Sequence, residues 1–178
     1  EGFDGEGYYA MMKGHTNVTT CQIPPQRYAD FFEPFVKAGQ DVLFISMSSG
    51  ISGSYSSSNI AAMQLKETYP DRTVCSVDTK GASLGEGIVA LRAADCRDKG
   101  MSFEETAGFA RALSDRICQV FTVDDLMFLR KGGRISNVTA IVGTVLNIKP
   151  LLKGDEEGRI IAFAKVRGRK HSIEAIAE

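Results

Sequence analysis

The fold is decided by residues 41–54, which read DVLFISM (41–47) followed directly by SSGISGS (48–54). The first seven residues are almost continuously apolar, which is typical of a strand buried on both faces of a parallel sheet. The serine and glycine residues that follow predict a loop, and the chain then enters a helix that carries Ile60, Met63 and Leu65. This stretch therefore predicts a strand, a loop and a helix in succession.

Further strands and helices alternate along the chain on either side of this unit. Ser102 and Glu105 form a capping-box pattern at the start of one helix. After an irregular start, the predicted elements are a helix from Pro25 with Tyr28, Phe31, Phe32 and Phe35 on neighbouring turns, a strand over Thr73–Val77, a helix over Leu84–Lys99 with Ile88, Leu91 and Ala94 inward, a helix from Ser102 to about Ile117, and a third strand over Cys118–Val123. The alternation predicts the α/β class, with a parallel sheet, helices on both of its faces and right-handed crossovers.

The pattern changes after Gly132. The later elements are a helix over Ser136–Leu146, two β segments over Ile148–Leu152 and Ile160–Val166 around the turn 155–158, and a helix from His171. We interpret the hairpin as the beginning of a second α+β domain. The predicted division is residues 1–146 for the α/β domain and 147–178 for the start of the second. The absence of an initiator methionine and the end within a helix indicate a piece of a longer protein.

Composition excludes several classes of protein. The 178 residues are 43% hydrophobic and 24% charged, which is typical of a globular chain rather than a disordered one. The net charge of −1 conceals a basic region, because residues 130–170 hold ten Lys or Arg and only three acids. The four cysteines lie far apart without metal-ligand spacing, and no apolar run approaches the roughly 18 residues of a membrane span. We expect a cytoplasmic protein.

The loop 48–54 is the candidate binding site. Ligands of open parallel sheets bind beyond the carboxyl ends of the strands, and a helix N-terminus with free amides suits a phosphate or a carboxylate. The alternative is that the serines only cap the helix and the glycines only make the turn. The P-loop and G-x-S-x-G patterns are absent, and His15 and His171 lie in polar or basic surroundings without an evident acid partner. No catalytic residue is therefore assigned.

Five segments in order resemble the DegV family. They are TCQ (20–22), SSGISGSY (48–55), VDTK (77–80) with SLG (83–85), LRKGGRIS (129–136), and LNIKP (146–150) with KVR (165–167). The resemblance implies a fatty-acid-binding protein in two domains, with the acyl tail in the α/β domain and the carboxylate held by hydroxyls. It also implies an ATP-dependent fatty acid kinase subunit as partner, to which the lipid is presented for acyl-phosphate formation, and no catalysis by this chain itself.

Carried over residue by residue, the resemblance assigns the carboxylate donors to Thr20 and Ser49, with Ser48 as a close second. Arg134 is assigned to the head-group region or to kinase docking. Cys21 stands where the family usually has a serine, which places a thiol beside the head group. The family's first strand would precede residue 1, and its carboxylate-contacting histidine would follow residue 178, so His171 is not put in its place.

Two other functions remain open from the sequence. The first is an enzyme acting on a small phosphorylated substrate, with the Ser/Gly loop as phosphate cradle and Lys131, Arg134 and Lys149 as cations. The second is a nucleic-acid-binding module on the basic stretch 159–170, but this stretch has Phe163 as its only aromatic residue. Basic stretches are usually solvated faces, so we expect no nucleic-acid partner.

Overall fold

The computed structural model describes residues 2–14, 18–135 and 147–177. The helices are α1 (Gly5–Lys13), α2 (Pro25–Lys37), α3 (Ser54–Thr68), α4 (Leu84–Asp98), α5 (Phe103–Ser114), α6 (Met127–Lys131) and α7 (Arg169–Ala177). The strands are β1 (Val42–Ser46), β2 (Val74–Asp78), β3 (Val120–Thr122), β4 (Ile148–Gly154) and β5 (Ile160–Arg167). The helix predicted over Ser136–Leu146 lies outside the described residues.

Strands β1 and β2 form a parallel pair covered by helices on both faces. The register runs from Val42 opposite Val74 to Ser46 opposite Asp78, so the two strands end side by side. Side chains alternate across the pair: Phe44 packs with α2 and α3, whereas Ile45 packs with α4 and α5. The predicted α/β class with a parallel sheet is confirmed.

Aromatic side chains of α2 fill the core on the first face. Phe32 is 2% exposed, and the ring of Tyr28 lies 5.2 Å from that of Phe44 between centroids. Burial of a side chain such as Phe32 contributes about 1.5–3 kcal/mol. Pro25 begins α2 at a position where its missing N–H costs nothing, as the sequence indicates.

Helix α4 faces the sheet with its small side chains, which corrects a prediction. Val89 is fully buried together with Ala93 and Cys96, whereas Ile88 is 48% and Leu91 69% exposed. The prediction that Ile88 and Leu91 point inward is therefore wrong. The apolar residues of α4 cover two sides of the helix, and the side with the smaller residues is the one that packs against Val77 of the sheet and Ala110 of α5.

Strand β3 belongs to the second sheet rather than to the parallel one. It pairs antiparallel with β4, with Phe121 opposite Leu152, and β4 pairs antiparallel with β5. A strand therefore forms within Cys118–Val123, but the prediction that it joins the parallel sheet is wrong. Because β3 precedes residue 146, its pairing with β4 crosses the proposed boundary, and the division at 146/147 stays a prediction.

Two helix starts show how local sequence acts. Residues 5–13 form α1 where an irregular segment was expected, and Asp4 caps it by accepting a hydrogen bond of 2.9 Å from the Gly7 amide. At α5 both hydrogen bonds of the predicted capping box are present between Ser102 and Glu105. These bonds satisfy amides that the first turn of a helix leaves unpaired.

Candidate functional site

The Ser/Gly loop lies at the carboxyl end of β1 and leads into α3, which begins at Ser54. Residues 20–22 run beside it. Gln22 donates a hydrogen bond of 3.4 Å to the Ser57 hydroxyl, and its carboxamide lies directly on Gly53, where a Cβ would collide with it. Thr20, two residues before Gln22, is exposed. Two of the segments predicted to hold a carboxylate thus meet at the start of α3.

Ser48 is a buried anchor of the loop. Its side chain is 0% exposed, its hydroxyl donates to the carbonyl oxygen of Gly158 at 2.7 Å, and its Oγ accepts the Gly50 amide at 3.1 Å. A serine hydroxyl has one hydrogen to donate. In this structure the hydrogen of Ser48 is used to join the loop to the β4–β5 turn.

The β4–β5 turn approaches the loop so closely that two glycines are required. A Cβ at Gly50 would lie 2.5 Å from the Glu157 carbonyl oxygen, and one at Gly158 would overlap the Ser48 hydroxyl. Gly158 also has φ +73, a conformation in which a side chain is strained. The turn of the second sheet therefore closes over the loop of the first.

Ser49 is exposed, but its polar groups are held by Asp78 at the end of β2. The Ser49 amide donates to Asp78 Oδ1 at 3.1 Å, and the Ser49 hydroxyl donates to Asp78 Oδ2 at 2.5 Å. The Lys80 amide donates to the same Oδ1 at 3.0 Å. Asp78 therefore ties together the loops that follow the two parallel strands.

The loop after β2 is held in an unusual conformation. Lys80 and Ser83 have φ +50 and +53, and such backbone states cost of order 1–3 kcal/mol each. The side chain of Gln119 fixes this loop from the second sheet's side, accepting the Ala82 amide at 3.1 Å and donating to the Ala82 carbonyl at 2.6 Å. Strained backbone held by neighbours is a feature of ligand sites.

A largely apolar cavity of about 560 Å³ lies between these loops and the second sheet. Its size is within the roughly 300–1,000 Å³ of small-molecule pockets. Its polar lining residues include Lys80 and Arg134, together with Ser48, whose side chain is itself fully buried. The large apolar side chains that line it are Ile51, Leu84, Ile88, Ile117, Val120, Phe121, Leu129 and Ile160.

The predicted cations take different positions. Arg134 is half-buried at the cavity, and one of its guanidinium N–H groups donates to the Gly132 carbonyl. Lys149 is bonded instead to Asp124, with its Nζ 2.7 Å from Oδ1, and this contact lowers the pKa of Asp124. Lys80 is bonded to Asp115 at 3.0 Å, which raises the pKa of Lys80. Both lysines therefore form ion pairs within the protein, and of the two only Lys80 lines the cavity.

The site has a raised carboxyl pKa and two thiols in its neighbourhood. Glu86 in the first turn of α4 has a raised pKa because burial disfavours its charged form. Cys118 lines the cavity, and Cys21 is exposed beside Gln22. Within the described ranges no group of three metal-ligating side chains comes together, and none of the helices described is long and apolar enough to cross a membrane.

Sequence reasoning missed Asp78, Gln119 and Gly158. The VDTK segment contains Asp78, and the rule that parallel strands end at one edge would have placed it beside Ser49. The signal for Gly158 was weaker: a glycine in a predicted hairpin turn indicates a tight turn but not a contact with Ser48. Gln119 carried none, because its contact with Ala82 depends on how the two sheets meet.

Comparison with known proteins gives the family. A family model described as "Uncharacterised protein, DegV family" matches residues 3–178. A DegV domain-containing protein of Clostridium perfringens is 37% identical over 171 residues, which cover 96% of this chain and 59% of the relative. The chain therefore spans about three fifths of that relative's length.

Solved structures agree with the sequence match. A Thermus thermophilus DegV family protein described as binding fatty acid has a TM-score of 0.82 at 35% identity, covering 97% of this chain and 59% of its own. A stearic-acid-binding protein from Eubacterium ventriosum has a TM-score of 0.84 at 29% identity, covering 97% and 60%. With a family model over nearly its whole length and the same fold in these structures, the chain belongs to the DegV family.

Proposed function

We propose that the protein binds a long-chain fatty acid and acts as a carrier rather than an enzyme. The observation that carries the proposal is the apolar cavity that borders the Ser/Gly loop, since a fatty acid needs an apolar pocket with polar groups at one end. Fatty-acid binding by family members from Thermus thermophilus and Eubacterium ventriosum supports it.

The acyl tail supplies most of the affinity in this proposal. Each methylene transferred from water to the cavity contributes about 0.8 kcal/mol. Ile88 and Leu84 of α4 line the cavity although they are 48% and 81% exposed, so a tail would cover apolar surface that the protein leaves open. We expect chains of about 14–18 carbons, within the size of ligand that such pockets bury.

The carboxylate is assigned to Thr20 and Ser49, with Ser48 as a second choice. A carboxylate removed from water needs several hydrogen bonds, and the two loops offer hydroxyls beside the N-terminus of α3. Thr20 and Ser49 are exposed and therefore open to a ligand. Both serine hydroxyls must leave a present partner to donate to a ligand, Gly158 for Ser48 and Asp78 for Ser49. Ser48 is the weaker candidate because it is also fully buried.

The proposal extends to a partner and a compartment. The carboxylate at the loop would be presented to an ATP-dependent fatty acid kinase subunit in the cytoplasm, and the acyl phosphate would form there. Arg134 is a half-buried residue that lines the same cavity, and we assign it to contact with the head group or with the kinase's phosphate.

Binding of an acid and its methyl ester to the full-length, delipidated protein tests the head-group assignment. Thr20→Val is expected to weaken acid binding by about 1.5–3 kcal/mol, the range for a hydrogen bond to a charged group. Ser49→Ala should fall near the lower end, since the Ser49 hydroxyl must leave Asp78 to reach the ligand. The ester, which lacks the charge, should bind wild type more weakly and respond far less to either change.

Thr68→Val is a matched control, because Thr68 is exposed at the far end of α3 and undergoes the same chemical change. Equal sensitivity of acid and ester would show that Thr20 and Ser49 only shape the loop. Extraction of the purified protein followed by mass spectrometry tests the ligand class itself. Recovery of phosphate esters without fatty acid would favour the phosphorylated-substrate alternative.

A further inference from the structure

Asp78 places a carboxylate where the proposed ligand would bring another one. Both of its carboxylate oxygens accept hydrogen bonds from the Ser/Gly loop: Oδ1 accepts one from the Ser49 amide and Oδ2 accepts one from the Ser49 hydroxyl. The nearby ammonium of Lys80 is bonded to Asp115. Asp78 therefore orders the loop that holds the head group, and it does so with a negative charge.

The Ser49 hydroxyl cannot serve Asp78 and a ligand at the same time. The hydroxyl has one hydrogen, and this hydrogen lies between Ser49 Oγ and Asp78 Oδ2, which are 2.5 Å apart. A ligand carboxylate has only acceptors, so it can bond to Ser49 only if that hydrogen leaves Asp78. Binding at Ser49 thus exchanges one charge-assisted hydrogen bond for another.

We propose that Asp78 determines head-group specificity by competing with the ligand's carboxylate for the Ser49 hydroxyl. The inference rests on the proposed fatty-acid function and names a residue that limits affinity for the ionised acid. A ligand whose head group carries an O–H is favoured by the same arrangement, because it can donate to Asp78 without moving the Ser49 hydrogen. Such ligands are a fatty alcohol or a protonated fatty acid.

The Asp78→Asn substitution separates the competing charge from the bracing of the loop. The asparagine oxygen can still accept the amides of Ser49 and Lys80, which keeps the two loops joined. Its NH₂ group donates to Ser49 Oγ, so the hydroxyl hydrogen turns toward the ligand. The substitution also removes a like charge beside the bound carboxylate.

The decisive experiment measures three C16 ligands on full-length, delipidated protein: the acid, the methyl ester and the alcohol. Asp78→Asn should bind the acid about tenfold more tightly and the alcohol severalfold more weakly, with the ester changed less than about twofold. Asp71→Asn is the matched control, since Asp71 is exposed and precedes β2 at the opposite end of that strand. It should leave all three affinities unchanged.

A double-mutant cycle tests the competition directly. Ser49→Ala should cost more acid affinity in the Asp78→Asn background than in wild type, because the competing acceptor is gone. Weaker acid binding by Asp78→Asn, or equal changes for all three ligands, would overturn the inference and leave Asp78 as a loop brace. If Asp78→Asn does not fold, Asp78→Ser replaces it in the experiment. We expect Asp78→Ser to bind the acid more tightly and the alcohol more weakly than wild type, and weaker acid binding or equal changes for all three ligands would again overturn the inference.

Failure of this inference differs from failure of the proposed function. Wild-type protein that binds none of the three ligands contradicts the fatty-acid function and the inference with it. Wild-type protein that binds the acid, with Asp78→Asn binding it no better, contradicts the role of Asp78 alone.

Discussion

Ser48 and Ser49 are neighbours with opposite surroundings, and Ser48→Ala is expected to act mainly on stability. The Ser48 hydroxyl is fully buried, donates to Gly158 and accepts from Gly50. Alanine would leave both backbone groups without this partner, and an unsatisfied buried group costs about 1–3 kcal/mol. Because Gly50 is only half-buried, we expect a total loss of about 2–4 kcal/mol in the free energy of unfolding.

Urea unfolding of the ligand-free, full-length protein measures this loss as a shift in midpoint at constant m-value. Ser49→Ala is the control, since its hydroxyl is exposed and Asp78 remains accessible to water. We expect the control to change stability by less than about 1 kcal/mol, as surface substitutions usually do. Equal effects of the two substitutions, or a loss below about 0.5 kcal/mol for Ser48→Ala, would refute the anchoring role of Ser48.

Three further predictions concern the cavity, a helix cap and an ion pair. Ile88→Phe should shift acyl preference toward shorter chains in a ligand-length series, because the added ring volume enters the cavity that Ile88 lines. Ser102→Ala should cost about 0.5–2 kcal/mol in urea unfolding through loss of the α5 capping box, and unchanged stability would contradict that assignment. Lys149 lowers the pKa of Asp124, so this pair stabilises the fold above the unfolded-state pKa of about 3.9 and loses its effect as the pH falls through the folded-state pKa. The difference in unfolding midpoint between wild type and Asp124→Asn should accordingly disappear on acidification, and a difference that persists would contradict the pairing.

Elements with a strong local signal were predictable from the sequence. The apolar run of β1, the proline at the start of α2 and the Ser102–Glu105 box each act within a few residues, and each element forms where its signal lies. Helix α1 lacked such a signal, because Gly5 and Gly7 disfavour a helix and none of its residues is buried. Local rules therefore succeed where local energies decide.

The pairing of strands and the contacts between distant side chains were less predictable, because they depend on how the whole chain folds. Val120, Phe121 and Thr122 of β3 are residue types that favour strands of either kind, so their composition cannot tell a parallel neighbour from the antiparallel β4. The site shows the same limit. Ser48 and Gly158 are 110 positions apart and come together only once the two sheets are assembled. Ser49 and Asp78 are 29 positions apart and meet as soon as β1 and β2 pair, so their contact could have been predicted.

Helix α4 has apolar side chains on two sides, and the side that does not pack against the sheet borders the candidate site. Periodicity marks Ile88 as a core residue, but the core is made by Val89 and Ala93, and Ile88 lines the cavity instead. An apolar side chain that awaits a ligand has the same sequence signature as one that packs against protein. Natural sequences depart from local consistency mainly at functional sites. The exposed apolar face of α4 beside the strained Lys80–Ser83 loop is such a departure, and binding of an acyl chain would account for it.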